Sequence, residues 1–280
     1  MLTAESEGGQ LKCHPYWAAQ EYGAYKLKAL SVKRVSLDLQ KRRQSTNRQD
    51  SGRRRANTGF EQPPETSSVN EPYVIVRKFT LSHSAEPFVP MREITQLHYS
   101  SWPDFGAPAQ PNHLLGLVEM SNSMQRASLS PTTGSNTRMD EPEDSSLVRP
   151  LLVHCSAGCG RTGTFCTVDS VIDMLKRQRK EHKSGVTPME ITTSSDSDYM
   201  AKGKKPKKEG DGDGWIFDEE IDLVQKTVED FRKQRISMVQ TLRQYVLCYE
   251  TVLEWICQER TGGRSGRIGN EPRVSGNRSS

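Results

Sequence analysis

The sequence predicts an α/β (α+β) domain with a mixed central β-sheet flanked by helices. Two observations carry that prediction. β-rich segments alternate with segments of helical spacing, the pattern of a layered architecture. A short apolar run, 150–154 (PLLVH), then leads through a glycine-rich loop into a helical stretch. In order, 24–30 and 34–39 have strand character, as do 73–79 (YVIVRKF) and 94–99 (ITQLHY). Residues 112–120 (NHLLGLVEM) carry leucines at helical spacing, and 150–154 reads as a buried strand. A helix is predicted over 161–180, with Val168, Ile172 and Leu175 on one face. A second, over 218–234, aligns Ile221, Val224, Val228 and Phe231, and a last one covers 239–257.

The chain has 280 residues and an apolar fraction of 33%, below that of an ordinary globular domain. Polar insertions account for the dilution. Stretches 40–70, 121–149 and 183–214, and a tail over 261–280, are poor in apolar residues and read as disordered. One domain over 1–260 is therefore expected, interrupted by insertions that offer sites for regulators. The net charge of +4 suits an anionic substrate and does not argue for nucleic acid. No run of about 18 apolar residues predicts a membrane span, and MLTAESEGGQLK lacks the pattern of a secretory signal. Cys13, Cys155, Cys159, Cys166, Cys248 and Cys257 show no metal-ligand spacing. Reduced thiols, a cytoplasmic location extending to the nucleus, and no metal are the expectations. Basic runs at 41–43, 53–55 and 204–208 read as solvated loop charge ahead of nuclear-import signals.

The most informative segment is Val153-His154-Cys155-Ser156-Ala157-Gly158-Cys159-Gly160-Arg161-Thr162-Gly163. Gly158 and Gly160 let the amides of Ser156, Ala157, Gly158, Cys159 and Gly160 converge on one point. The positive end of the following helix faces the same point, making a nest for a tetrahedral oxyanion. Arg161 adds a planar fork for two phosphate oxygens. The same fields hold Cys155 as a thiolate, since a free thiol titrating near 8.5 falls to roughly 3.5–7.5 at such a site. A thiolate is what attack on phosphorus requires. Thr162 can donate a hydrogen bond to the sulfur, His154 orients or tunes the loop, and Cys159 fills space beneath it. Upstream, Trp102-Pro103-Asp104-Phe105-Gly106-Ala107-Pro108 is a proline-stiffened surface loop whose Asp104 can protonate a leaving oxygen.

HCSAGCGRTG, the Trp-Pro-Asp-x-Gly-x-Pro loop and Gln240-Thr241-x-x-Gln244-Tyr245, in that order of specificity, resemble the protein tyrosine phosphatases. Lys12-Cys13-His14-Pro15-Tyr16-Trp17 is similar to a fourth, structural motif of that family. Both the acid loop and the glutamine pattern point to its tyrosine-specific, non-receptor subclass, and the polar insertions are similar to those of fungal members. The resemblance covers about 8–39 and 71–260. It implies phosphotyrosine proteins as substrates, a cysteinyl-phosphate intermediate, and no cofactor. It assigns Gln240 to the hydrolytic water, with Gln244 assisting at the substrate site.

The chain departs from the family in two respects. The Asn-Arg-Tyr segment that deepens the pocket has no counterpart, so an N-terminally truncated domain with an exposed sheet edge and apolar surface is expected. A glutamate that pairs with the clamp arginine in relatives is replaced, on this reading, by Val32, which would loosen Arg161. These gaps leave a second possibility from another class, a catalytically impaired module that captures phosphoproteins without turnover.

Overall fold

A computed structural model describes residues 1–18, 21–38, 72–127, 142, 150–184, 214–218 and 220–265. Strands β1 (Ser6–Glu7) and β2 (Gln10–Leu11) form a hairpin that turns through Gly8 and Gly9. Strands β3 (Glu21–Tyr22), β4 (Tyr25–Ser36), β5 (Tyr73–His83) and β6 (Arg92–His98) form a sheet in that order. The α+β class expected from sequence holds, and among the described residues every pairing in this sheet is antiparallel, without the parallel pair a mixed sheet requires. The two strands expected over 24–30 and 34–39 are one strand, with an irregularity at Leu30 between paired residues Ala29 and Ser31. Such a bulge adds an unpaired residue and lets a long strand bend.

The helices are α1 (Pro111–Ala127), α2 (Gly160–Ser184), α3 (Leu223–Gln234) and α4 (Leu242–Ser265), with a 3-10 turn at Gly214–Phe217. Pro111 opens α1, where its missing N–H costs nothing. Helix α1 continues to Ala127, into the stretch expected as an insertion, because Met120 and Ser121 are buried against the core. Helix α4 likewise continues to Ser265, into the expected tail. Apart from Pro142, Lys183, Ser184 and Gly214, the rest of the four stretches and all three basic runs lie outside the described residues.

The core lies between the helices and one part of the sheet. It joins Leu37, Val74 and Val76 to Leu114 and Val118 of α1, Val168 and Ile172 of α2, and Leu247 and Trp255 of α4. The predicted α2 face is thus the buried one. In α3, Val224 and Val228 are buried while Phe231 is only partly so.

The expected buried strand at 150–154 is not a strand. Leu151 is 41% and Leu152 85% exposed. A strand needs a ladder of backbone bonds, and this segment receives one, from Leu2 N to His154 O at 2.9 Å. Among the described residues, β4 pairs on the side away from β5 only with β3, through Tyr25 and Lys26. Leu30 and Val32 are more than half exposed there.

Candidate active site

The segment predicted as a phosphate loop wraps around Cys155, whose side chain is buried. Gly158 adopts φ of 69°, a conformation that favours glycine, and its N–H donates to Cys155 Sγ at 3.2 Å. Burial alone would raise the Cys155 thiol. The Thr162 hydroxyl and the amides of Thr162, Cys159 and Gly158 outweigh it, leaving the thiol below its ordinary value. Thr162 Oγ1 is buried without a hydrogen bond of regular geometry among the described residues, and its hydroxyl lies close enough to Cys155 to lower the thiol. Ser156 and Ala157 are exposed at the mouth of the loop. Helix α2 starts at Gly160 and directs its N-terminus at the loop.

The loop is fitted to the glutamine segment by close backbone contact. A Cβ on Gly163 would lie 2.5 Å from Val239 N, and one on Gly160 2.8 Å from Gln240 Oε1. Cys159 O accepts from both Gly163 N (2.8 Å) and Val239 N (3.3 Å).

Arg161 is buried and held from two sides. Its Nη1 donates to Glu7 Oε1 at 2.7 Å and to Trp102 O at 2.8 Å, and its Nη2 to Asp104 Oδ1 at 3.1 Å. The missing glutamate partner is therefore present: it is Glu7, carried by the β1–β2 hairpin, and Val32 has no part in it. Glu7 Oε2 also accepts from Asp104 N at 3.1 Å, and Lys12 Nζ pairs with Asp104 Oδ2 at 3.0 Å. The hairpin thus grips both the clamp and the acid. Neither Glu7 nor Lys12 was singled out for these contacts from sequence. The one signal was the glycine pair that sets Glu7 five residues before Lys12 of the structural motif.

The acid loop is docked on the phosphate loop. Trp102 is fully buried and its Nε1 donates to Gly106 O at 3.0 Å. Thr241 Oγ1 donates to Phe105 O at 3.3 Å, and Gln244 Nε2 to Gly106 O at 3.4 Å. Gln240 borders Gly160, with its side chain exposed at the site, and a cavity of about 410 Å³ lies beside it, lined by Phe105, Arg232, Ser237 and Val239.

Gln244, expected among the substrate-binding residues, is buried. Its Oε1 accepts from Gln240 N (3.0 Å) and Thr241 N (3.3 Å), while Gln244 N donates to Thr241 Oγ1 (3.2 Å). This reciprocal pair is a capping box for α4. Gln244 therefore holds the backbone of Gln240 and the acid loop, and its amide borders Gly160 of the phosphate loop.

His154 is neutral, its pKa lowered first by burial and then by the nearby Met1 amine. Gln96 Nε2 donates to Tyr16 OH at 2.7 Å, Tyr16 OH bonds His154 Nε2 at 2.9 Å, and His154 Nδ1 reaches Cys155 O at 3.3 Å. The chain of donors fixes the tautomer with the proton on Nδ1, so His154 orients the loop backbone and brings no charge. Cys159 does not fill a void: its partly exposed Sγ accepts from Arg235 Nε at 3.4 Å. Among the described residues no cluster of three His, Cys, Asp or Glu side chains is placed to hold a metal ion, and no helix is long and apolar enough to cross a membrane.

A cysteine in an amide nest, a buried arginine beside it and a docked aspartate loop are thus brought together at one site. The protein-tyrosine phosphatase family profile matches residues 1–195 and 216–254. Human tyrosine-protein phosphatase non-receptor type 18 is 34% identical over 166 residues, which is 59% of this chain and 24% of that protein. Human tyrosine-protein phosphatase non-receptor type 9 is 26% identical over 260 residues, 92% of this chain and 30% of that protein. Yeast (Saccharomyces cerevisiae) tyrosine-protein phosphatase 3 is 29% identical over 185 residues, 64% of this chain and 15% of that protein. A solved structure concerned with the PTPN18 fingerprint on distinct HER2 tyrosine phosphorylation sites superposes with a TM-score of 0.51 at 25% identity, over 91% of this chain and 58% of that one. The chain thus spans under a third of the length of these curated relatives. It belongs to the protein-tyrosine phosphatase family.

Proposed function

We propose that the chain hydrolyses phosphotyrosine in proteins through a cysteinyl-phosphate intermediate. The observation that carries this reading is the Cys155 thiol, whose pKa is lowered against the effect of its own burial. In the first step the Cys155 thiolate attacks phosphorus and the P–O bond to the tyrosine breaks. The loop amides and Arg161 hold the equatorial oxygens, and Asp104 gives its proton to the departing phenolate. The phosphoryl group competes with Asp104 for Arg161 Nη2, which releases the carboxyl group toward the leaving oxygen. In the second step a water held by Gln240 attacks the thiophosphate, Asp104 takes its proton, and sulfur departs as the thiolate that Thr162 and the amides stabilise. The positive field comes from backbone amides and a guanidinium, the arrangement that stabilises developing charge without reorganisation.

The relatives named above are tyrosine-protein phosphatases, which supports phosphotyrosine as the substrate class. Signalling proteins in the cytoplasm are the partners this reading calls for. Turnover of para-nitrophenyl phosphate and of a phosphotyrosyl peptide tests it. Cys155→Ser reduces both to background, and Asp104→Asn lowers kcat about 10²–10⁴-fold. Tight peptide binding with no turnover by the unaltered chain would instead establish phosphoprotein capture.

A further inference from the structure

Arg235 lies on the outer side of the phosphate loop, and the reaction outlined above gives it no role. It forms the C-cap of α3, with its N–H on Phe231 O at 2.8 Å. Both side-chain hydrogen bonds go to the loop: Nη2 to Ala157 O at 2.9 Å and Nε to Cys159 Sγ at 3.4 Å.

Ala157 C=O and Gly158 N–H belong to one peptide unit. The N–H end of that unit donates to Cys155 Sγ at 3.2 Å. A peptide is planar and turns as one body, so a guanidinium holding the oxygen outward also aims the N–H inward at the sulfur. Hydrogen bonds in series polarise one another, and a cation on the carbonyl makes the amide a stronger donor. The restraint matters here because the unit ends in glycine, the residue with the least intrinsic preference for one orientation. Arg235 Nη2 lies 3.5 Å from the place a Gly158 Cβ would occupy, so it also backs the turn.

We propose that Arg235 is a positioning residue for the nucleophile: through the Ala157–Gly158 peptide it fixes and strengthens the amide hydrogen bond to Cys155 Sγ. The proposal rests on Cys155 being the nucleophile. It concerns the sulfur alone and requires no contact between Arg235 and substrate.

Other groups face Cys155 from the elements around it. Arg235 favours its ionised form electrostatically, while burial lowers the Met1 amine to about 6 and raises Cys166 of α2 to about 11, so neither carries much charge near neutrality. Thr162 acts by hydrogen bonding. The charge of Arg161 is shared with Glu7 and Asp104, and His154 is neutral. Arg235 is the exposed member of the set.

The test is the pH dependence of alkylation at Cys155 by iodoacetamide, an uncharged reagent, read by peptide mass mapping so that other thiols do not contribute. Arg235→Ala is expected to raise the midpoint by about half a unit, the effect of one mostly solvated charge plus a loosened amide. Arg235→Lys restores the charge without the fork and should fall between the two. Lys233→Ala, which removes a neighbouring cation paired with Asp230, should match the unaltered chain. Arg235→Gln serves if the alanine variant loses its thermal transition. Midpoints for Arg235→Ala and Arg235→Gln equal to that of the unaltered chain overturn the proposal, as does an equal shift in Lys233→Ala. A chain with the expected shift but no phosphatase activity refutes the hydrolase reading alone, and turnover without the shift refutes only the role of Arg235.

Discussion

Around Cys155 two opposing effects act on one proton: burial raises the thiol, and a hydroxyl with three amides lowers it further. The hydroxyl and the three amides lie within seven residues of the sulfur. That is why the nucleophile was legible in the sequence, as a strand-like approach, glycines and a helix start written consecutively. Arg161 was legible as a clamp for the same reason, but its partner was not. Glu7 is 154 residues away in sequence and reaches Arg161 only because the hairpin folds against the loop. Val32 was assigned that place by sequence position, yet β4 pairs it with Arg77 of the sheet. Glu7→Gln is expected to lower stability by about 1–3 kcal/mol, less than the ~3–5 of a fully buried pair because Arg161 keeps Asp104 and Trp102 O. The same change should cut kcat/KM by about tenfold or more through a misaligned clamp. Urea melts and steady-state kinetics measure the two effects separately.

The site is built where three elements meet: the start of α2, the start of α4 and the acid loop. The α4 capping box turns Gln244 inward and fixes Gln240 beside Gly160. Its signature, Thr241-x-x-Gln244, was present in the sequence but was read as a catalytic pattern, since one motif can serve both roles. Val239 has φ of 58°, a strained value for a β-branched residue. Its N–H on Cys159 O and its carbonyl under Arg232 hold it there. The contact at Gly163 leaves no room for even one carbon against that backbone. Gly163→Ala should therefore separate the two segments, lowering the thermal midpoint by an amount equivalent to about 1–3 kcal/mol and lowering kcat, as differential calorimetry and turnover assays would show. The segment over 150–154 shows the opposite limit of sequence reading. A short apolar run is compatible with a buried strand, but a strand also needs neighbours, and those are not written in the run itself.

At the scale of the molecule, the helical core surrounds the site while the sheet extends from it, and among the described residues β4 has no strand beyond the short β3 on its outer side. A polar chain at the end of β6 ties the sheet to the N-terminal segment. Arg77 Nη1 donates to Gln96 Oε1 and to His98 Nδ1, and His98 Nε2 donates to Thr3 O. Burial, then the nearby cations, holds His98 down at about 4, below its usual 6.5. The unfolded chain therefore binds more protons between those values, and stability falls as pH drops through 6.5 toward 4. His113 and His154, both lowered by burial, act in the same sense. The loss attributable to His98 should reach about 3 kcal/mol by pH 4, and His98→Gln should make that limb of the stability–pH curve shallower in urea melts. A curve unchanged by the substitution would remove His98 from that tie. The antiparallel sheet could be anticipated only in part, because alternation along a strand reveals its faces but not its neighbours.

The account depends on a sulfur kept ionised at neutrality by the groups folded around it, and its reactivity reports that state directly. Iodoacetate at pH 6 should modify Cys155 rapidly and ahead of Cys13, Cys159 and Cys257, and vanadate should protect it by occupying the same nest. Slow modification of Cys155 in folded protein, or modification that vanadate leaves unchanged, would contradict it.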